Sequence, residues 1–165
     1  FRLDRVWWLV SPGNPLKAHG PAPLAERIAA ARALADDPRI VVTGLEARLG
    51  TRRTADTLAA MQALWPGVRF VWLMGSDNLA SFHRWRGWTD IMRMAPVAVV
   101  ARPGSQLDSR SAPAARRFSA FRVPDAQAGL LPTLHAPAWT YLAAPLNARS
   151  STAIRAGRMA DRVVG

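Results

Sequence analysis

The 165 residues contain no cysteine and a single lysine, Lys17. Without thiols, neither a disulfide framework nor a thiolate metal site is available. No apolar run approaches the roughly 20 residues that a membrane-spanning helix needs. Phe1-Arg2-Leu3-Asp4-Arg5 lacks the basic-then-apolar layout of a signal peptide, and the apolar run Val6–Val10 is too short for one. These absences lead us to expect a soluble, cytoplasmic protein. Acidic residues are scarce as well: 11 stand against 22 basic ones, a net charge of +11. An excess of that size suggests a polyanionic ligand. The arginines, however, are scattered singly or in pairs such as Arg52-Arg53 and Arg116-Arg117, with no long basic run. That spacing argues against nucleic acid as the main ligand. A smaller polyanion such as a nucleotide fits it, because the guanidinium offers phosphate a bidentate fork.

What is present points to one domain spanning 1–165. Arg5–Val10 is a continuous run of strand formers ended by Ser11-Pro12-Gly13, the pattern of a strand buried on both faces in a parallel sheet. Pro23–Asp36 carries Leu24, Ile28, Ala31 and Leu34 at helical spacing. Further strands are expected at Ile40–Thr43, Arg69–Met74, Pro96–Ala101 and Trp139–Ala143. Helices are expected over Thr54–Trp65, stopped by Pro66-Gly67, and over Thr89–Met94. Residues 103–133 read as loop with one short helix near Ala112–Phe118, and Ser151–Val164 as a closing helix. Strands alternating with helices indicate an α/β fold with a Rossmann-like, doubly wound parallel sheet. Ligands of such sheets lie beyond the carboxyl ends of the strands.

The stretches that carry chemistry fall at those ends. Ser150-Ser151-Thr152-Ala153-Ile154-Arg155 opens the last helix. Hydroxyls there cap free N–H groups, and the same N–H groups with the helix dipole attract an anion. Arg155 lies one turn in, able to reach the same anion. A plain N-cap explains the hydroxyls equally on local grounds. Leu73-Met74-Gly75-Ser76-Asp77 ends a strand with a glycine that lets a ligand approach the backbone and a carboxylate able to hold ribose hydroxyls. Phe82-His83-Arg84-Trp85 follows with an indole suited to stacking a flat ring, or to packing in the core. His83 reads as a local structural or surface residue.

In order and kind, these stretches resemble the bacterial nicotinate-mononucleotide adenylyltransferases of the nucleotidylyltransferase superfamily. The resemblance runs from about Leu3 to Arg158. Gly75-Ser76-Asp77 and Phe82–Trp85 are similar to the family's Gly-x-Asp and Phe-x-x-Trp. Ser151, Thr152 and Arg155 match its Ser-Ser-Thr-x-x-Arg. Ser11–His19, with Lys17, resembles the loop after its second strand, and Arg102-Pro103-Gly104 a family strand end. Glu46-Ala47-Arg48 with Thr54–Leu58 resembles its Glu-x-x and Thr-x-x-Thr-Leu segment, Arg53 standing where an aromatic residue is usual. The resemblance implies adenylyl transfer from ATP to nicotinate mononucleotide, giving deamido-NAD and pyrophosphate. It assigns ATP to Gly75, Asp77, Ser151, Thr152 and Arg155, with Arg155 catalytic. It assigns the pyridine nucleotide to Lys17, Thr54 and Trp85, and it implies Mg2+ bridging phosphates without a protein cage.

The family's Gly-x-Phe-x-Pro-x-His-x-Gly-His loop is not found in the sequence, and His19, His83 and His135 lack its spacing. That loop belongs to a first βα unit, so the chain reads as lacking this unit. Residues 1–165 alone are therefore expected to be inactive, with sheet edges open to self-association. An adenylyltransferase for another phosphate such as phosphopantetheine is an alternative, disfavoured by the pairing of Trp85 with Thr54. A basic nucleic-acid-binding domain and a non-catalytic relative are the others.

Overall fold

The computed structural model describes residues 1–13, 22–103 and 111–143. It holds six strands: β1 (Val6–Leu9), β2 (Ile40–Thr43), β3 (Trp72–Gly75), β4 (Val97–Val100), β5 (Arg122–Val123) and β6 (Trp139–Leu142). The α-helices are α1 (Leu24–Arg32), α2 (Leu45–Leu49), α3 (Thr54–Leu64), α4 (Ser76–Ser81), α5 (Trp88–Met94) and α6 (Pro113–Arg117). Every ladder is parallel, as the alternation of strands and helices required. The strands form two sheets: β1 with β2, and the order β3-β4-β6-β5.

The second sheet is covered on both sides, which is why its strands read as unbroken apolar runs. Along β4 the side chains alternate. Val97 and Val99 enter a cluster with Leu58, Leu79, Phe82, Ile91, Met92 and Phe118, whereas Ala98 meets Leu131 and Ala138 on the other side. Phe82 is fully buried and sits edge-on to both Trp85 and Trp88, with ring centroids 5.3 and 6.1 Å away. It therefore supports the segment that carries both indoles. The smaller sheet packs Val10 and Val42 against Ala31 of α1.

Several elements differ from the sequence reading. α2 and α4 are additional, and a 3-10 turn at Phe82–Arg84 extends α4. The apolar run Arg69–Met74 starts pairing only at Trp72, opposite Val97, so its first residues are not strand. Residues 111–133 hold more than one short helix: besides α6 they contain β5 and a 3-10 segment at Asp125–Thr133, whose Leu131 is completely buried. Trp139–Leu142 is consequently the sixth strand. The expected closing helix at Ser151–Val164 lies outside the described residues.

Between the sheets, β1 and β3 face a cleft of about 1020 Å³ that both strands line. Among the described residues, neither strand has a ladder partner on a second edge. Trp7 crosses to the other wall, edge-on to Trp65 at 5.0 Å and to Phe70 at 6.1 Å.

Phe82→Ala should lower the unfolding free energy by about 3–5 kcal/mol, the usual range for deleting a buried aromatic ring. Urea titration measures this, and a loss under about 1 kcal/mol would show that the indoles do not depend on Phe82.

Candidate active site

Parallel pairing sets the carboxyl ends side by side: Gly75 is in register with Val100, and Val100 with Leu142. Just beyond β3 the chain turns into α4, and just beyond β4 lies Arg102. Ser76, fully buried, accepts a hydrogen bond from the Arg102 backbone N–H at 2.8 Å, tying the two strand ends together. The Arg102 guanidinium stands 3.5 Å from the Asp77 carboxylate, and both side chains are about half exposed. These two side chains fold back over Gly75. A Cβ there would meet Asp77 Oδ1 in hard overlap and Arg102 Nε at 2.7 Å. A side chain at this position would displace the carboxylate and guanidinium from the space they now fill.

A second group forms around the start of α3. Arg53, in extended backbone, precedes Thr54 and supplies no side-chain cap, so the first-turn N–H groups keep their capacity to bind an anion. Gly87 has a left-handed φ of 71°, and a Cβ there would lie 3.1 Å from the methyl of Ala55. The segment Trp85–Gly87 is thus seated against the first turn of α3. Trp85 is half-buried, edge-on to Phe82 on the core side. Thr54 and Trp85 therefore belong to adjoining segments.

A third group lies beneath. Glu46 enters α2 just after β2 and is only 7% exposed. Its carboxyl is hydrogen-bonded to the side chains of Ser11, after β1, and Thr57, in α3. Burial pushes its pKa above the ordinary 4.5, and the two hydroxyl contacts pull part of the way back. Thr51 Oγ1 and Thr57 Oγ1 are 2.8 Å apart, and the Thr51 N–H donates to the Glu46 carbonyl at 3.0 Å.

Of the residues singled out in the sequence, Gly75 and Asp77 share one group, and Thr54 and Trp85 lie in adjoining segments. Lys17, Ser151, Thr152 and Arg155 lie outside the described residues. His83 sits in the turn before Trp85, with its Nδ1 shielded from solvent and without a hydrogen-bond partner among the described residues. Sequence reasoning gave no role to Ser76, Arg102 or Glu46. Glu46 and Arg102 stood within recognised stretches, but only the folded chain shows what they touch.

This arrangement can be set beside known proteins. The cytidylyltransferase-like family model matches residues 1–157. A probable nicotinate-nucleotide adenylyltransferase of Cereibacter sphaeroides is 60% identical over 156 residues, covering 94% of this chain and 82% of that protein. The chain belongs to the nicotinate-nucleotide adenylyltransferase family, within the cytidylyltransferase-like group. Proteins of the same printed name from Ruegeria pomeroyi and Methylorubrum extorquens are each 56% identical over 94% of the chain, which covers 73% and 84% of them.

The raised pKa of Glu46 has a signed consequence. The folded chain holds that proton more tightly than the unfolded chain, so stability declines as pH rises through 4.5 toward the raised value, then levels. Glu46→Gln removes the titration. Across that window the unmodified protein should lose stability relative to the variant, measured as urea midpoints against pH. Parallel curves would mean that burial leaves the carboxyl unperturbed.

Proposed function

We propose that the protein transfers the adenylyl group of ATP to nicotinate mononucleotide, giving deamido-NAD and pyrophosphate. The observation that carries this reading is the seating of Gly87 on Ala55. It sets the Trp85 segment against the start of α3, which has no side-chain cap. A half-buried indole beside free N–H groups suits a flat pyridine ring bearing a carboxylate. The printed names of the relatives support the same chemistry.

In this reading an oxygen of the mononucleotide's phosphate attacks the α-phosphorus of ATP in line. The bond from that phosphorus to the bridging β-oxygen breaks, and pyrophosphate leaves with the electron pair. No protein nucleophile is needed; positioning and charge neutralisation lower the barrier. Asp77 and the Gly75 backbone hold the nucleotide, and Ser151, Thr152 and Arg155 grip the triphosphate, with Arg155 meeting the charge that develops on the leaving group. Thr54 and Trp85 take the pyridine acid, Lys17 its phosphate. Mg2+ carried by ATP would supply further neutralisation of phosphate charge, with no dedicated protein cage expected. The family's two-histidine loop does not occur within residues 1–165. Losing one preorganised donor at such a site costs on the order of a hundredfold in rate.

The test is pyrophosphate release from ATP, Mg2+ and nicotinate mononucleotide. The full gene product containing these residues should turn over, residues 1–165 alone should not, and phosphopantetheine should not replace the mononucleotide. No release with nicotinate mononucleotide overturns the proposal, and equal turnover by the two proteins removes the histidine loop from it.

Trp85→Ala should raise the KM for nicotinate mononucleotide at least several-fold, with far less change for ATP. Aromatic stacking contributes on the order of 1 kcal/mol beyond burial. Equal damage to both substrates, in step with lost stability, would reduce Trp85 to a partner of Phe82.

A further inference from the structure

Glu46 is the only buried carboxylate among the described residues. Removing an ionisable group from water is costly unless its partners compensate, and here no basic side chain among the described residues pairs with it. Its partners are hydroxyls, and both hydroxyls also reach backbone. Each hydroxyl has one proton, given either to the carboxylate or to a backbone carbonyl 3.0 Å away, that of Gly13 for Ser11 and that of Arg53 for Thr57. Arg53 is the residue before Thr54, and Gly13 is the last described residue before Lys17 in the sequence. One carboxyl therefore contacts a hydroxyl in each of two segments, the turn after β1 and the first turns of α3. The same residue's carbonyl receives the Thr51 N–H, which fixes the approach to α3. The Arg27 guanidinium holds the Ser11 carbonyl at 2.7 Å, so the turn after β1 is gripped from both sides.

We propose that Glu46 is a positioning residue that holds the turn after β1 and the N-terminus of α3 in one register, and thereby sets affinity for the pyridine nucleotide rather than for ATP. The nucleotide-contacting pair Gly75 and Asp77 is tied separately, through Ser76 and Arg102. The two halves of the site are thus held by different networks, and damage to one need not reach the other. The affinity part of the proposal rests on the assignment of Lys17 and Thr54 to nicotinate mononucleotide; the register part rests on the contacts alone.

The experiment has two readouts on the full gene product. In steady-state kinetics, Glu46→Gln and Thr57→Val should raise the KM for nicotinate mononucleotide about tenfold or more, since small misplacements of a positioned substrate are costly. The KM for ATP should stay within about twofold. Thr57→Ser keeps the hydroxyl and should restore near-native values; Ser11→Ala should repeat the loss if Glu46→Gln proves unfolded. In amide hydrogen exchange, Glu46→Gln or Ser11→Ala should speed exchange at residues 11–13 and 53–57 but not along β4. Both KM values moving together, or neither moving while the melting temperature falls, overturns the affinity part. Unchanged exchange at both segments overturns the register part. A native protein that exchanges as expected but uses no nicotinate mononucleotide overturns the functional reading together with the affinity part, and leaves the register part standing.

Discussion

The candidate site depends on parallel pairing within each sheet, because parallel register is what brings chain ends from distant parts of the sequence to one edge. Gly75, Val100 and Leu142 stand in line across that edge, and Leu9 stands opposite Thr43 in the smaller sheet. Ser11, Glu46, Asp77 and Arg102 all follow a strand by two or three residues. Antiparallel pairing would send alternate ends to opposite edges and separate them. The pairing in turn requires both faces of β4 to be covered, which Phe82, Ile91 and Met92 do on one side and Leu131 on the other.

The strand ends are then shaped by what is left out of them. Gly75 and Gly87 both sit where a methyl group would collide, with the Asp77 and Arg102 side chains in one case and Ala55 in the other. The two collisions differ in kind. At Gly75 the neighbours are the movable tips of side chains, so a Cβ would chiefly displace the carboxylate and guanidinium. At Gly87 the neighbour is fixed to a helix, and the backbone is already left-handed, so a side chain adds strain as well as crowding. The first glycine serves the electrostatics of the site, the second its shape.

The sequence made legible those features that rest on local chemistry. β2 was read with its observed bounds because four strand formers end at Thr43-Gly44. α3 was read because its apolar spacing ends at Pro66-Gly67. The short elements were not legible: α2 and α4 are five and six residues long, too short to show a period. β5 has two residues, and it pairs only because β6 presents an open edge. Among candidate site residues, Gly75, Asp77 and Trp85 were singled out from residue type and position, and Thr54 from the family resemblance. Glu46 stood in a recognised stretch, yet nothing local says that a glutamate will be buried against a serine 35 positions earlier and a threonine 11 positions later. Its meaning is entirely tertiary. The arginine excess was read as suited to a polyanion, but the described residues do not gather it into a patch around the site. Only Arg102 stands there in an ion pair, and the other ion pairs, at Arg39 and Arg93, are exposed and add little to stability.

The division into two sheets bears on how the site's halves communicate. Ser11 and Glu46 follow the strands of one sheet; Asp77 and Arg102 follow strands of the other, and the cleft between β1 and β3 separates them. Across the cleft the aromatic ties are Trp7 against Trp65 and Phe70. Edge-on aromatic contacts hold surfaces together with much less directional control than a ladder of backbone hydrogen bonds. Fine registration of the turns after β1 and β2 therefore cannot be inherited from β3. It has to come from α3, whose side chains reach both sides: Leu58 enters the core of the larger sheet, and Thr57 carries the hydrogen bond to Glu46. Adjacent residues of one helix thus carry the packing of one sheet and the polar tie of the other. That places the alignment of the two sheets on a single helix.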